Sequence, residues 1–182
     1  RARYLNGAIG QLDQSITTYL ATLEQESLSP DDEQYLKAIL TFSMNIAHAA
    51  SVSGMGLLGH ASRLHKKHWS LDAEQRTELT DTLDRLQRNL RQAASLFVSG
   101  DRQVARNLAF EKDYFRTLEA QAADRHLERI KTGRLDAADL GAFYLEVLRD
   151  AGGVNAYLVN AAAYPILARH GELRPNRLRD AD

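Results

Sequence analysis

Apolar residues recur at alternating spacings of four and three along most of the chain, which is the pattern of amphipathic helices. The first such run predicts a helix from the start of the sequence to about Glu26. Its narrow apolar stripe consists of Leu5, Ile9, Leu12, Ile16, Tyr19 and Leu23. A stripe of this width is typical of a helix that packs against one or two neighbours in a bundle.

Two further helices begin at residues that cap helix N-termini. Ser29 precedes Pro30 and a run of acidic residues, so a second helix is predicted from there to about His65. Asp72 caps a third predicted helix, which Gly100 ends. The apolar seam of this third helix is Leu79, Leu83, Leu86, Leu90, Ala93 and Phe97.

The second half of the chain predicts two more long helices. Asp101 opens the fourth, which stops near Gly133 and carries a carboxylate, Glu111, in an otherwise apolar seam. The fifth runs from about Asp136 to His170. Because short links between long helices make neighbours run in opposite directions, the sequence predicts an all-α antiparallel bundle of about five long helices.

The two halves of this bundle resemble each other. ARYL at 2–5 matches ARNL at 105–108, and each opens a helix that is followed by one with a small-residue middle. We therefore predict one helical domain over 1–171, built from two pseudo-repeated units at about 1–70 and 72–171. Residues 172–182 are predicted to form a polar tail.

Composition narrows the function classes. The chain has 182 residues, with 23 Lys and Arg against 24 Asp and Glu, so its net charge gives no general attraction to nucleic acid or to an anionic membrane. It has no cysteine, which rules out disulfides and thiolate zinc sites. No apolar stretch approaches the ~18 residues that a membrane span needs. The sequence starts without Met or an N-cap, and we expect it to be a piece of a longer protein.

One stretch, 144–167, carries a family resemblance. It contains Leu148, Arg149 and Asp150, then Val154 and Asn155, and then Ala163, Tyr164, Pro165, Ile166 and Leu167. With RHLERIKTG at 125–133 ahead of it, this stretch resembles the PhoU-like cytoplasmic domain at the C-terminal end of bacterial sodium/phosphate cotransporter family proteins. The resemblance implies two three-helix bundles side by side, with a sixth helix and a transmembrane transporter portion of the same polypeptide upstream of Arg1.

The acidic metal-binding pairs of PhoU proteins have no counterpart here. The resemblance places Ala47 and Ser51 where the first Glu-x-x-x-Asp pair would stand, and Gly152 and Ala156 where the second would stand. We therefore expect no cofactor and no multinuclear metal cluster. The remaining weak candidates for a metal ligand are Glu111, Glu119, Glu146 and Asp150.

For these four acids the preferred interpretation is structural. A buried carboxylate needs a partner, so for Glu111 we expect either a structural pair, with Arg149 as the candidate across a helix interface, or partial exposure. Glu146 and Asp150 form a like-charge pair four residues apart, which favours an exposed surface. Among the histidines, His60, His65 and His68 indicate a basic helix end. His48 is predicted to be a packed interface residue and His126 to be solvated.

Small side chains on two helices predict a close-packing or interaction surface, because they let neighbouring helices approach closely. Its residues are Ala47, Ala50, Gly54, Gly152, Gly153, Ala156 and Asn160. An intramolecular core and a homodimer contact both remain open for this surface.

The function that the resemblance implies is non-enzymatic. We expect a regulatory domain on the cytoplasmic side of the bacterial inner membrane that modulates phosphate transport through helix-mediated contacts. One alternative is a free-standing PhoU-type metal-binding regulator of phosphate uptake, which predicts acidic pairs. A second alternative is a helical scaffold or interaction bundle unrelated to phosphate.

Overall fold

The computed structural model of the protein describes residues 1–23, 28–132 and 138–173. In these ranges the chain is all-helical, without strands, and forms five long helical rods. The predicted all-α bundle of about five long helices is thus confirmed. Two of the rods are α-helices continued through a short π-helical segment. In chain order the elements are α1 (Ala2–Ala21); α2 (Pro30–Ser51), segment πA (Val52–Leu57) and α3 (Leu58–Lys66); α4 (Ala73–Ser99); α5 (Arg102–Lys131); and α6 (Ala138–Leu158), segment πB (Val159–Ala163) and α7 (Tyr164–Arg169).

Local capping chemistry sets the helix starts. The Ser29 hydroxyl accepts a hydrogen bond from the Asp32 N–H, and the Asp32 carboxylate accepts one from the Ser29 N–H, which makes a capping box at the start of α2. Asp72 and Gln75 form the same box at the start of α4. The Asp101 carboxylate caps α5. These three starts confirm the sequence prediction.

The helix ends agree with the sequence where they are described. Gly100 adopts a left-handed φ of 63° and closes α4, as predicted. The first helix ends at Ala21, and its predicted end near Glu26 lies outside the described residues, as do Gly133 and Asp136. The predicted tail lies mostly outside them too.

Rods that follow one another in the chain are antiparallel, whereas α4 and α6 run parallel, since Tyr144 lies against Glu78 and Asn155 against Asn89. The Ser43 hydroxyl donates to the Asp13 carboxylate over 2.8 Å and Gly54 lies against Asn6, so α1 and α2 run in opposite directions. A Cβ at Gly152 would lie 3.7 Å from the Phe115 Cβ, which places the middle of α6 against the middle of α5. On its other side the rod of α6 and πB packs against the rod of α2 and πA.

The core lies between α2, α4, α5 and the rod of α6, πB and α7. Its fully buried centre is rich in small residues, including Ala93, Ala105, Ala151 and Ala163, between the larger Leu108 and Leu158. A second apolar cluster, around Leu71, Phe143 and Val147, fills the end of the bundle near the start of α4. In contrast, α1 has no buried residue. The division into units at about 1–70 and 72–171 stays a prediction.

Candidate functional site

An apolar groove with a volume of about 660 Å³ lies between α1 and α4. Its floor includes Ala49 from α2 and Val154 and Leu158 from α6, all of which belong to the core. Its walls are Leu5 and Ile9 of α1 on one side, and Leu83, Leu86 and Leu90 of α4 on the other. We call this feature the α1/α4 groove.

Exposed apolar residues repeat every seven positions on both helices that form the walls. They are Leu5, Leu12 and Tyr19 on α1, and Leu83, Leu90 and Phe97 on α4. Their exposed fractions run from 40 % for Phe97 to 65 % for Tyr19. A spacing of seven keeps residues on one helix face, which is the geometry that a second helix packs against.

The predicted seam of α4 is therefore buried only in part. Leu86 and Ala93 are 7 % and 0 % exposed, whereas Leu83, Leu90 and Phe97 are not buried. The cause is that α4 packs Leu86 and Ala93 into the core, whereas Leu83 and Leu90 line the groove. Phe97 lies against Phe42 of α2, with ring centroids 4.2 Å apart.

The α1 helix reaches its position through polar and small-residue contacts. A Cβ on Gly54 would lie 3.3 Å from the Asn6 side chain, so the absent side chain at Gly54 lets α1 come close to πA. The Ser43–Asp13 hydrogen bond fixes α1 further along. These contacts leave Leu5 and Ile9 of α1 turned toward the groove.

The predicted close-packing residues differ in what they contact. All seven positions are partly exposed: Ala47, Ala50, Gly54, Gly152, Gly153, Ala156 and Asn160. Ala50 and Gly54 line the groove. Gly152 makes an ordinary contact with Phe115, but a Cβ on Gly153 would meet nothing within 4 Å. Close helix approach is therefore present at Gly54 and absent at Gly153, although Ala151 and Val154 on the same helix are buried in the core.

Two tighter glycine contacts were missed by the sequence reasoning. A Cβ on Gly56 would clash with the Asp150 carboxylate and lie 3.1 Å from its Cγ. A Cβ on Gly141 would clash with the His126 ring and lie 2.9 Å from its Cε1. For Gly141 an isolated Gly inside a helical pattern was the available signal, since such a residue usually has a packing or functional reason.

The prediction that His126 is solvated is wrong. Its ring packs against Gly141, and its Nδ1 is buried without a hydrogen-bond partner among the described residues. The reason is that α5 and α6 cross closely where Gly141 has no side chain. His48, predicted to be a packed interface residue, is exposed, although its ring stacks on Tyr157 with centroids 5.3 Å apart.

Each of the four weak metal candidates is paired with a basic side chain of another helix. The Arg85 Nε donates to Glu111 over 2.8 Å, and the Arg149 Nε donates to Glu119 over 3.1 Å. The predicted Glu111–Arg149 pair is therefore wrong, because Arg149 faces Glu119 on α5 while Glu111 faces α4. Among the described residues no group of three His, Cys, Asp or Glu side chains could hold a metal ion.

The other two candidates, Glu146 and Asp150, belong to a charged cluster between α3 and α6. The His60 Nε2 lies 2.8 Å from the Asp150 carboxylate, and Arg63 donates to Glu146. Arg63 also stacks over the Phe143 ring at 4.9 Å, and its hydrogen bond holds the pKa of Glu146 below its usual value. The His60 side chain is only 14 % exposed, so this histidine belongs to an interhelical contact rather than to a solvated helix end.

The fold thus presents an all-α bundle with an open apolar groove, in which the candidate metal-ligating acids are paired with basic side chains. None of the described helices combines the length and the apolar character that crossing a lipid bilayer requires. Two relatives are similar over nearly the whole chain. Over 172 residues, 93 % of its length, the chain is 29 % identical to a protein of Escherichia coli strain K12 named "Putative inorganic phosphate export protein YjbB". A protein of the same name from Salmonella typhimurium strain LT2 is 26 % identical over 165 residues, or 91 % of the chain.

These relatives are much longer than the chain, which spans only 31 % and 30 % of them. No protein-family model matches the chain. No solved structure matches it either. The resemblance to the PhoU-like domain of sodium/phosphate cotransporters therefore stays a prediction, whereas similarity to proteins named for phosphate export is a finding.

Proposed function

We propose that this chain is a non-enzymatic helical domain that regulates phosphate transport by a membrane protein, on the cytoplasmic side of the bacterial inner membrane. Two findings support the proposal. The relatives that match 93 % and 91 % of the chain are named for inorganic phosphate export. The structure also offers a surface for contact with another helix, and its candidate metal-ligating acids are paired with basic side chains.

The mechanism that we propose depends on the α1/α4 groove. Its α4 wall carries the exposed Leu83 and Leu90 seven residues apart, and its α1 wall carries Leu5 and Ile9 four residues apart, so the shape it complements is a helix with a matching apolar stripe. An open apolar surface of this kind on a globular protein marks an interaction site. The occupant we propose is an amphipathic helix from another part of the same polypeptide.

The length of the relatives is consistent with an occupant that belongs to the same polypeptide. The chain corresponds to only 31 % of the Escherichia coli relative, which leaves ample sequence in such a protein for a helix that reaches the groove. A linked helix has a high effective concentration, so it can fill a groove of moderate affinity. Filling and emptying the groove would give the two states that regulation requires, and α1, which has no buried residue, is the wall best able to move.

Groove variants in the protein's own gene test this proposal. Leu83→Glu with Leu90→Glu places two charges on the groove wall, and we expect phosphate efflux or uptake by bacterial cells to change severalfold. Leu127→Glu is the matched control, because Leu127 is an exposed leucine on α5 outside the groove. Circular dichroism should show the same helix content for all variants, since the replaced leucines are exposed.

The possible outcomes separate the proposal from its competitors. Unchanged phosphate flux with well-folded groove variants would contradict it. Sedimentation that shows a dimer of the wild-type chain and a monomer of the groove variant would assign the groove to a homodimer contact and not to a tethered helix. Phosphate flux that does not depend on the gene at all would favour a scaffold function unrelated to phosphate.

A further inference from the structure

A second, polar cleft lies at the end of the bundle where α1 begins and α3 ends. Its volume is about 1340 Å³, twice that of the α1/α4 groove. Six of its lining side chains are basic or titratable to a positive charge: Arg1, Arg3, Arg63, His65, Lys66 and Lys67. Among the described residues that line it, none is acidic.

The positive charges come from two separate helices. Arg1 is the N-cap of α1 and Arg3 lies in its first turn, while Lys66 is the last residue of α3 and Lys67 is its C-cap. These four side chains are exposed and make no ion pair with a carboxylate of the described residues, whereas Arg63 is neutralised by Glu146. Fold contacts therefore bring four uncompensated positive charges together, although the whole chain has a net charge of −1.

The opposite end of the α1–α2 pair is negative. The first turn of α2 carries Asp31, Asp32 and Glu33, and α1 runs antiparallel to α2, so these acids lie at the far end from Arg1 and Arg3. The pair of helices therefore has a positive and a negative end. Such a separation orients a molecule in front of a negatively charged surface.

We propose that this basic cleft docks on an anionic phospholipid bilayer. Its basic side chains are exposed and spread over a wide opening, which suits many headgroups at once better than one enclosed phosphate ion. Two apolar side chains share the opening: Met55, which is 70 % exposed, and Leu58. On a bilayer, apolar side chains can reach the boundary of the acyl chains, while neighbouring basic side chains contact the headgroup phosphates. The inference goes beyond the proposed function, and the cleft adjoins the α1/α4 groove, with which it shares Asn6, Gly54 and Leu58.

Vesicle sedimentation with the wild-type chain tests the proposal. We expect binding to phosphatidylcholine vesicles that contain about a quarter phosphatidylglycerol, weak binding to phosphatidylcholine alone, and loss of binding as salt is raised. Arg3→Ser with Lys67→Ser removes one charge from each helix and should lower the partition coefficient about thirtyfold. The control is Arg88→Ser with Arg91→Ser, two exposed basic residues of α4 outside the cleft, which should retain most of the binding.

A matched pair of methionine variants tests the apolar contribution to vesicle binding. The chain has only two methionines, and both Met55 and Met44 are exposed. Met55→Ser should weaken binding to the anionic vesicles severalfold, while Met44→Ser, on α2 away from the cleft, should not. This pair distinguishes insertion at the cleft from a general change of surface hydrophobicity.

Three results would overturn the proposal. The first is equal binding to charged and uncharged vesicles, or equal loss in the cleft and control variants. The second is release from vesicles by inorganic phosphate beyond the release by chloride at the same ionic strength, which would assign the cleft to a phosphate ion. The third is tighter binding to a single-stranded RNA than to anionic vesicles. These results are distinguishable from a failure of the proposed function, because Arg3, Lys67 and Met55 do not line the groove, and Leu83 and Leu90 do not line the cleft.

Discussion

The Asn89 Nδ2 donates a hydrogen bond to the Asn155 Oδ1 over 2.9 Å, between two side chains that are 3 % and 0 % exposed. The same amide group of Asn89 donates to the Glu111 carboxylate over 3.1 Å. Asn89 on α4 thus joins α6 to α5 through the core. Glu111 in turn accepts from Arg85, whose guanidinium lies 3.8 Å from the Tyr114 ring centroid, so the chain of polar contacts ends near the surface.

Asn89→Ala should destabilise the protein by about 1–3 kcal/mol, because it leaves the buried Asn155 Oδ1 without a donor and removes one of the two hydrogen bonds that Glu111 accepts. Asn155 would lose its only described partner, since its Nδ2 already has none. Urea denaturation followed by circular dichroism measures the effect. Asn107→Ala on α5 is the control: Asn107 is exposed, so its loss should change the free energy of unfolding by less than about 0.5 kcal/mol. Equal effects of the two substitutions would contradict this role of the Asn89 amide.

Gly56→Ala should lower stability because the new Cβ takes the place of the Asp150 carboxylate that contacts His60. Forcing a side chain into such a site costs about 1–3 kcal/mol, which outweighs the ~1 kcal/mol that Ala gains over Gly in a helix. Gly59→Ala, one turn further along the same rod, meets nothing within 4 Å and should stabilise the protein. The measurement is thermal unfolding of both variants.

The Asp150→Ala background shows whether the cost at Gly56 comes from this contact. With the carboxylate removed, the added Cβ has no polar group to displace, so Gly56→Ala should become neutral or stabilising. An unchanged cost in this double variant would place the clash elsewhere.

The helix starts could be predicted because their causes are local. Ser29 and Asp72 each bond to a backbone N–H three residues ahead, and Gly100 supplies a left-handed φ, so a few neighbouring residues determine each boundary. The π-helical segments πA and πB were not predicted. Both lie in the stretches of small residues on which the predicted close-packing surface was based. Small side chains hinder a local change of helical pitch less than large ones do.

The side-chain pairs between helices could not be predicted in the same way. Whether Glu111 meets Arg149 or Arg85 depends on how far α5 is rotated about its axis, and apolar spacing fixes that rotation only to within a wide stripe. Leu83 and Leu90 are exposed because no described helix covers that side of α4. The sequence of α4 does not determine whether another helix packs there. The groove could therefore be found only from the assembled bundle.

Tyr144→Phe should cost about 1–2 kcal/mol at neutral pH, because the Tyr144 hydroxyl donates to the charged Glu78 carboxylate over 2.6 Å in a buried site. Arg125 continues to pair with Glu78, so the variant should fold. Burial, and then the hydrogen bond to Glu78, raise the pKa of Tyr144 well above its usual value.

The sign of the pH dependence follows from this raised pKa. In the unfolded chain Tyr144 ionises near pH ~10, while in the folded protein it stays protonated, so the stabilisation is complete below that pH and is lost as the pH rises further. The difference in unfolding free energy between wild type and Tyr144→Phe should therefore shrink above about pH 10. A difference that stays constant through this range would contradict the protonated hydrogen bond.

The backbone conformation of His68 predicts the effect of a substitution there. His68 is the one residue other than glycine with a positive φ, 53°, in the described ranges, and it lies just past the end of α3. There the Trp69 N–H donates to the Leu64 carbonyl over 3.2 Å, which is the hydrogen bond of a helix C-terminal capping motif. In such a motif glycine is the favoured residue at the left-handed position. Since the His68 side chain is exposed, His68→Gly should relieve backbone strain at little cost and raise the free energy of unfolding by about 0.5–1 kcal/mol. His68→Ala retains a Cβ and should bring no such gain, so equal stability of the Gly and Ala variants in urea denaturation would show that this φ is not strained.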